Sequence, residues 1–152
     1  MKLILPSELR ARIEQESRAA FPRECCGLIE GESAGQTVTA LVLHPARNVA
    51  SARDRFEIDP TDHFAALKTA RANGRALIGC YHSHPGGQAV PSATDLTGAG
   101  EEHFLWLVAA LGSADGPPTL AGFVYSAASF FPVEVIAALG ADLVTSSAKA
   151  RS

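Results

Sequence analysis

The sequence predicts an α/β chain, layered as α+β, in which a mixed, curved β-sheet is flanked by helices. Three observations carry this. Apolar runs of strand length recur over 76–81, 104–111 and 119–126. Between them stand segments with helix-start chemistry, Pro6-Ser7, Asp59-Pro60 and Pro91-Ser92. With 152 residues, 47% of them hydrophobic, one domain can build its core without metal or disulfide support.

Leu3, Ile4 and Leu5 predict a short first strand. Ser7 then caps a helix that turns Leu9, Ile13 and Ala20 toward the core, and Phe21-Pro22 ends it. Residues 24–29 read as a strand stopped by Gly31 and a polar turn over 32–35, with 37–43 returning as its hairpin partner. Glu24 stands at the start of that strand. On local sequence alone it is an ordinary exposed acid beside Arg23.

His44-Pro45 closes the hairpin, His44 reads as a loop histidine, and the stretch to Asp54 is a loop without a catalytic signature. Residues 55–58 predict a short strand. Asp59 caps the next helix, with Pro60 at its first position, Asp62 in its first turn, Phe64, Leu67 and Ala70 as its apolar stripe and Asn73-Gly74 as its stop. The run 76–81 is a buried central strand delivering His82 and His84 at its carboxyl end, where open α/β sheets place their sites.

A short helix from Ser92 to about Ala99 follows, its end weakened by Gly98 and Gly100. His103 falls beyond it as a surface residue, and Trp106 in the next strand reads as core. Residues 130–136 add a last strand, which Pro132 assigns to the sheet edge. The domain is expected to span 1–138, with 139–152 a small polar tail lacking fixed structure.

Charge excludes some classes of partner. The net charge of −3 and the absence of any Lys/Arg cluster speak against nucleic acid and against an anionic membrane. Residues 1–5 are too short an apolar run for a signal-peptide core, and no stretch reaches membrane-span length, so a cytoplasmic chain is expected. Three cysteines, Cys25, Cys26 and Cys80, make a poor disulfide framework and fit a reducing compartment as small buried side chains.

The chemistry concentrates in 82–95. His82 and His84 stand at i and i+2, so a strand points both rings to one side. Pro and Gly then turn the chain, and Ser92 to Asp95 opens a helix that can bring the Asp95 carboxylate back to the same point. Two nitrogens and one oxygen suit Zn²⁺ and leave a fourth position for water, the pattern of catalytic zinc. Ser92 and Asp95 also read as a plain helix start, cap and first-turn acid, and the two roles are compatible. Cys80 shares the strand face of both histidines, so a Cys-His-His set is an alternative. Gly86-Gly87 lacks the following lysine of a phosphate loop and reads as a flexible turn.

This spacing resembles the JAMM (MPN+) family of zinc metallopeptidases, whose signature is a distant Glu, then His-x-His, seven residues, Ser, two residues and Asp. His82, His84, Ser92 and Asp95 match without a gap. The segment Pro22 to Gly31 resembles the family's first-strand segment, with Glu24 in the place of the catalytic glutamate, and Arg55 to Pro60 resembles bacterial members. The resemblance implies a cytidine-deaminase-like JAMM/MPN fold and one Zn²⁺ per chain held by His82, His84 and Asp95. It further implies Glu24 as general base and acid, and Ser92 as donor to the oxygen that becomes negative. The substrate it implies is a small ubiquitin-like sulfur carrier protein, cut after its C-terminal Gly-Gly. Other classes are an inactive MPN scaffold, which would lack ligands present here, a DNA-repair-associated relative, which would want a basic helical region, and a deaminase, which would want Cys-x-x-Cys.

Overall fold

The structure, a computed structural model, describes residues 1–139. In chain order the elements are β1 (Lys2–Pro6), α1 (Ser7–Ala20), β2 (Cys26–Ala34), β3 (Thr37–Ala46), α2 (Pro60–Ala72), β4 (Ala76–Pro85), α3 (Ala93–Gly98), β5 (Leu105–Leu111), β6 (Thr119–Ser126) and β7 (Ser129–Ala138). No helix among the described residues is long and apolar enough to cross a membrane. The tail expected over 139–152 lies, from residue 140 onward, outside the described residues.

The sheet is mixed, as expected, but it closes. Its strands run β1-β3-β2-β4-β5-β6-β7 around a barrel, with β1 parallel to both β3 and β7 and β4 parallel to β5. The expected edge position of 130–136 is therefore corrected, and the curvature of the sheet goes as far as closure. The reason lies in β1, whose Leu3 and Leu5 are fully buried and whose backbone pairs on both sides, so no edge is left. Pro132 sits opposite Phe123 of β6, ahead of the β1 ladder that starts at Glu134, where its missing N–H costs no pairing with β1.

Two apolar clusters form because strand side chains alternate. Leu3, Leu5, Ile29, Tyr81 and Leu107 gather with Leu9 and Ile13 of α1. Leu28, Cys80 and Trp106 gather with Ala66 of α2 and with Phe56, Ile58 and Phe104. Tyr81 takes the first side and Cys80 the second, so His82 and His84, in phase with Cys80, emerge on the second side. Gly27 makes the β2–β4 approach possible, since a Cβ there would fall on the Tyr81 ring.

Several local expectations are corrected. Helix α1 begins at Ser7 with no side-chain cap, and the Ser7 hydroxyl donates to the Ala138 carbonyl at 3.2 Å. Ser17 completes its buried stripe one turn past Ile13, in place of Ala20, because its hydroxyl is satisfied by the Ile13 carbonyl at 2.7 Å. β2 runs through Gly31 to Ala34, the irregularity being absorbed as a register shift at Glu30/Gly31, and the turn falls at Gly35, where φ is 62°. His44 belongs to β3 and bonds Glu30 at 2.7 Å. Residues 55–58 contribute one isolated bridge, Asn48 to Ile58. α2 lies on the sheet through Ala66 and Ala70, small enough for close approach, and leaves Phe64 69% exposed.

Candidate metal centre

Strand parity and a helix cap assemble the centre. β4 carries the fully buried His82 and the half-buried His84, their Nε2 atoms 2.8 Å apart. Ser92 opens α3 with a capping box: its hydroxyl oxygen accepts from Asp95 N at 3.0 Å, and Asp95 Oδ2 accepts from Ser92 N at 2.8 Å. The same Oδ2 stands 3.0 Å from His82 Nε2 and 3.1 Å from His84 Nε2. The His84 Nδ1–H donates to the Gln88 carbonyl at 3.0 Å, which leaves its Nε2 lone pair facing the triangle.

Glu24 comes from the start of the neighbouring strand. Cys26 pairs with His82 in the β2–β4 ladder, and just before it Cys25 N donates to the Ser83 hydroxyl at 2.8 Å. This brings Glu24 opposite His84. One Glu24 oxygen and one nitrogen of each histidine lie within 4.8 Å of one another. Glu24 is 5% exposed and its Oε1 has no partner, so the expectation of an exposed acid is corrected by the pairing that folds it inward.

The donor set fits a cation. Two imidazole Nε2 atoms and a carboxylate oxygen converge with edges of 2.8, 3.0 and 3.1 Å, and with the His84 Nδ1–H committed to the Gln88 carbonyl, neutral rings bring at most one proton to the three contacts. A nitrogen and oxygen set of this kind suits Zn²⁺. Asp95 Oδ2 bonds both rings at 3.0 and 3.1 Å, and a Glu24 oxygen groups with the same two rings within 4.8 Å, so either carboxylate stands within reach of a cation held by the two histidines. Cys80 turns into an apolar cavity instead, and its buried thiol is held well above the usual range.

A family model described as prokaryotic homologs of the JAB domain matches residues 6–140. The chain belongs to this family. It is 39% identical over 123 residues, 78% of this chain and 85% of the relative, to a protein named Desampylase from Haloferax volcanii. It is 34% identical over 93 residues, 60% of this chain and 57% of the relative, to a probable TtuB-protein conjugate cleaving protease from Thermus thermophilus. Among solved structures, a protein of Desulfitobacterium hafniense superposes with a TM-score of 0.81 at 27% identity, over 91% of this chain and 94% of that one. A JAB1/MPN domain protein from Archaeoglobus fulgidus shares the fold, with a TM-score of 0.51 at 18% identity over 90% and 99% of the two chains. This JAB-domain chain is a JAMM-type hydrolase.

Electrostatics in the JAB-domain centre follow from burial. Burial pushes the Glu24 carboxyl up to about 7, with His84 drawing it down and Asp95 and Asp54 adding to the rise. Burial holds His82 below its usual range. At His84 burial is outweighed by Asp95 and the Gln88 carbonyl, and the ring is raised. Burial also opposes the charge on Asp95, but bonds from both imidazoles hold it far below the usual carboxylate range.

Two features escaped sequence reading. The Phe56 ring stacks on His82 with centroids 4.3 Å apart, and Trp106, expected as core, is 7% exposed yet meets His82 edge-on at 5.7 Å. Asn48 binds the Glu24 carbonyl at 3.0 Å from within the stretch that carried no signature. Phe56 lies in the Arg55 to Pro60 segment that resembles bacterial members, a resemblance that assigned it no role, and nothing in the sequence pointed at Asn48. Beside the centre lie an apolar cavity of about 380 Å³, walled by Phe56, Cys80, Phe104 and Trp106, and a groove of about 280 Å³ lined by Glu24, Arg53, His84, Gly87 and Ser92.

Proposed function

We propose that this chain is a cytoplasmic zinc metallopeptidase or isopeptidase, catalytic over 1–138. It hydrolyses the amide bond that follows the C-terminal Gly-Gly of a small ubiquitin-like sulfur carrier protein. The reading is carried by one observation: a buried carboxylate oxygen with no partner faces a triangle of two imidazoles and a second carboxylate. His82, His84 and Asp95 would hold one Zn²⁺, which when bound supplies Lewis acidity toward water and the scissile carbonyl.

Glu24 takes a proton from the attacking water onto its carboxylate and gives it to the leaving amine. Its buried Oε1, which has no hydrogen-bond partner, suits that work. The Ser92 oxygen is occupied by Asp95 N, but its hydroxyl proton is free to donate toward the groove. It stabilises the carbonyl oxygen as charge develops there. The substrate class rests on the JAMM resemblance and on the relatives whose names describe desampylation and cleavage of TtuB-protein conjugates.

The test is to incubate zinc-loaded protein with carrier proteins extended beyond Gly-Gly and to follow their mass. The carrier is expected to lose the extension and end at Gly-Gly. Zinc-loaded protein that leaves every extended carrier intact, while cutting an unrelated peptide, overturns the substrate assignment.

A further inference from the structure

We infer that Asn48 is a positioning residue that locks the Glu24 backbone and the Phe56 ring into one unit around His82. The inference rests on the reading of Glu24 as the general base. The Asn48 amide makes four hydrogen bonds, all to backbone. Its Nδ2 donates to the Glu24 carbonyl at 3.0 Å and to the Arg55 carbonyl at 3.2 Å. Its Oδ1 accepts from Ala50 N at 3.0 Å and Glu57 N at 3.0 Å.

Those partners lie on the two segments that frame the centre. The first carries Glu24, whose other neighbours are also tied down: Arg23 donates to the Ala50 carbonyl at 3.0 Å, and Cys25 N donates to Ser83. The second carries Phe56, flanked on both sides by Asn48 bonds, to Arg55 O and to Glu57 N. Phe56 covers one face of His82 in a stack tilted by 23°.

No other residue type does this work as well. The site needs two donors and one doubly used acceptor on a short stem, an inventory that among side chains of this length asparagine alone supplies. Aspartate has the same shape but presents an oxygen to two carbonyls. Outer-shell side chains that orient metal ligands change metal affinity or activity by about 10- to 100-fold when lost, and an activity loss of the same order is expected for one that orients the base.

The experiment uses the full chain carrying Asn48→Asp. Zinc content is expected to stay at the wild-type level and kcat to fall about 10- to 100-fold, with KM within about threefold. In the metal-free variant the near-UV signal of Trp106, the chain's single tryptophan, is expected to change, because Phe56 meets that ring edge-on at 5.7 Å. In metal-free wild-type protein, hydrogen exchange at the Ala50 and Glu57 amides is expected to be slow and to open together.

Wild-type kcat in Asn48→Asp overturns the inference, and so does fast, independent exchange at those two amides, which needs no variant. A loss confined to zinc content or to KM also overturns it. If Glu24→Gln still turns over, the reading of the base fails; if Glu24→Gln is inactive while Asn48→Asp is fully active, only the role of Asn48 fails.

Discussion

Ser92 separates two roles that one hydroxyl plays. Its oxygen caps α3 by accepting from Asp95 N at 3.0 Å, and its proton remains free to serve the groove. Loss of a serine cap costs about 1 kcal/mol of stability, within a range of about 0.5–2. Loss of one donor to a developing oxyanion costs about 2.7–4 kcal/mol of barrier, a factor of about 10²–10³ in kcat. The catalytic term is the larger.

Ser92→Ala is therefore expected to lose about 1 kcal/mol in urea unfolding and about 10²–10³ in kcat. Ser92→Gly is the discriminating variant, since glycine at a helix N-cap costs only a few tenths of a kcal/mol and has no side-chain donor. It is expected to unfold close to wild type and to remain as slow as Ser92→Ala, with zinc bound in both because Asp95 still accepts from the backbone N–H of residue 92. The assay pairs steady-state cleavage of an extended carrier with urea titration. Wild-type turnover in Ser92→Gly would refute the donor role and leave only the cap.

Other outcomes concern the frame. Glu30 is fully buried; burial opposes its charge, but bonds from Asn73 and His44 and the nearby charges of His44 and Arg75 outweigh it and hold its carboxyl below the usual range. Its contribution is thus fully present above the unfolded pKa and lost as pH falls through the lower folded value, so Glu30→Ala, destabilised by about 3 kcal/mol or more at neutral pH, should show a flatter acid limb in urea midpoints. An unchanged acid limb would contradict the assignment. Gly27→Ala forces a methyl onto the Tyr81 ring and is expected to cost about 1–3 kcal/mol in thermal or urea unfolding, while Gly35→Ala, with open space but φ of 62°, strains only the turn.

The centre was more legible than the fold around it. His82, His84, Ser92 and Asp95 declare themselves because strand parity and cap chemistry act over a few residues and survive in one dimension. Glu24 did not, since its burial comes from pairing with a strand more than fifty residues away, and only the family resemblance singled it out. Closure of the barrel was illegible for the same reason: β1 gives no sign that it pairs on both sides, and Pro132 looks like an edge until the β1 ladder is seen to begin past it. The short stretch from Arg47 to Asp59 was misread because its order comes from one amide bonding four backbone groups, a pattern without periodicity.

The most direct test sets metal content beside turnover in two variants. Glu24→Gln is expected to bind zinc as wild type does and to leave an extended carrier uncut, while His84→Ala is expected to lose both the metal and the activity. Sustained cleavage by Glu24→Gln, or full zinc occupancy in His84→Ala, would contradict the division between a proton-carrying acid and a set of three ligands.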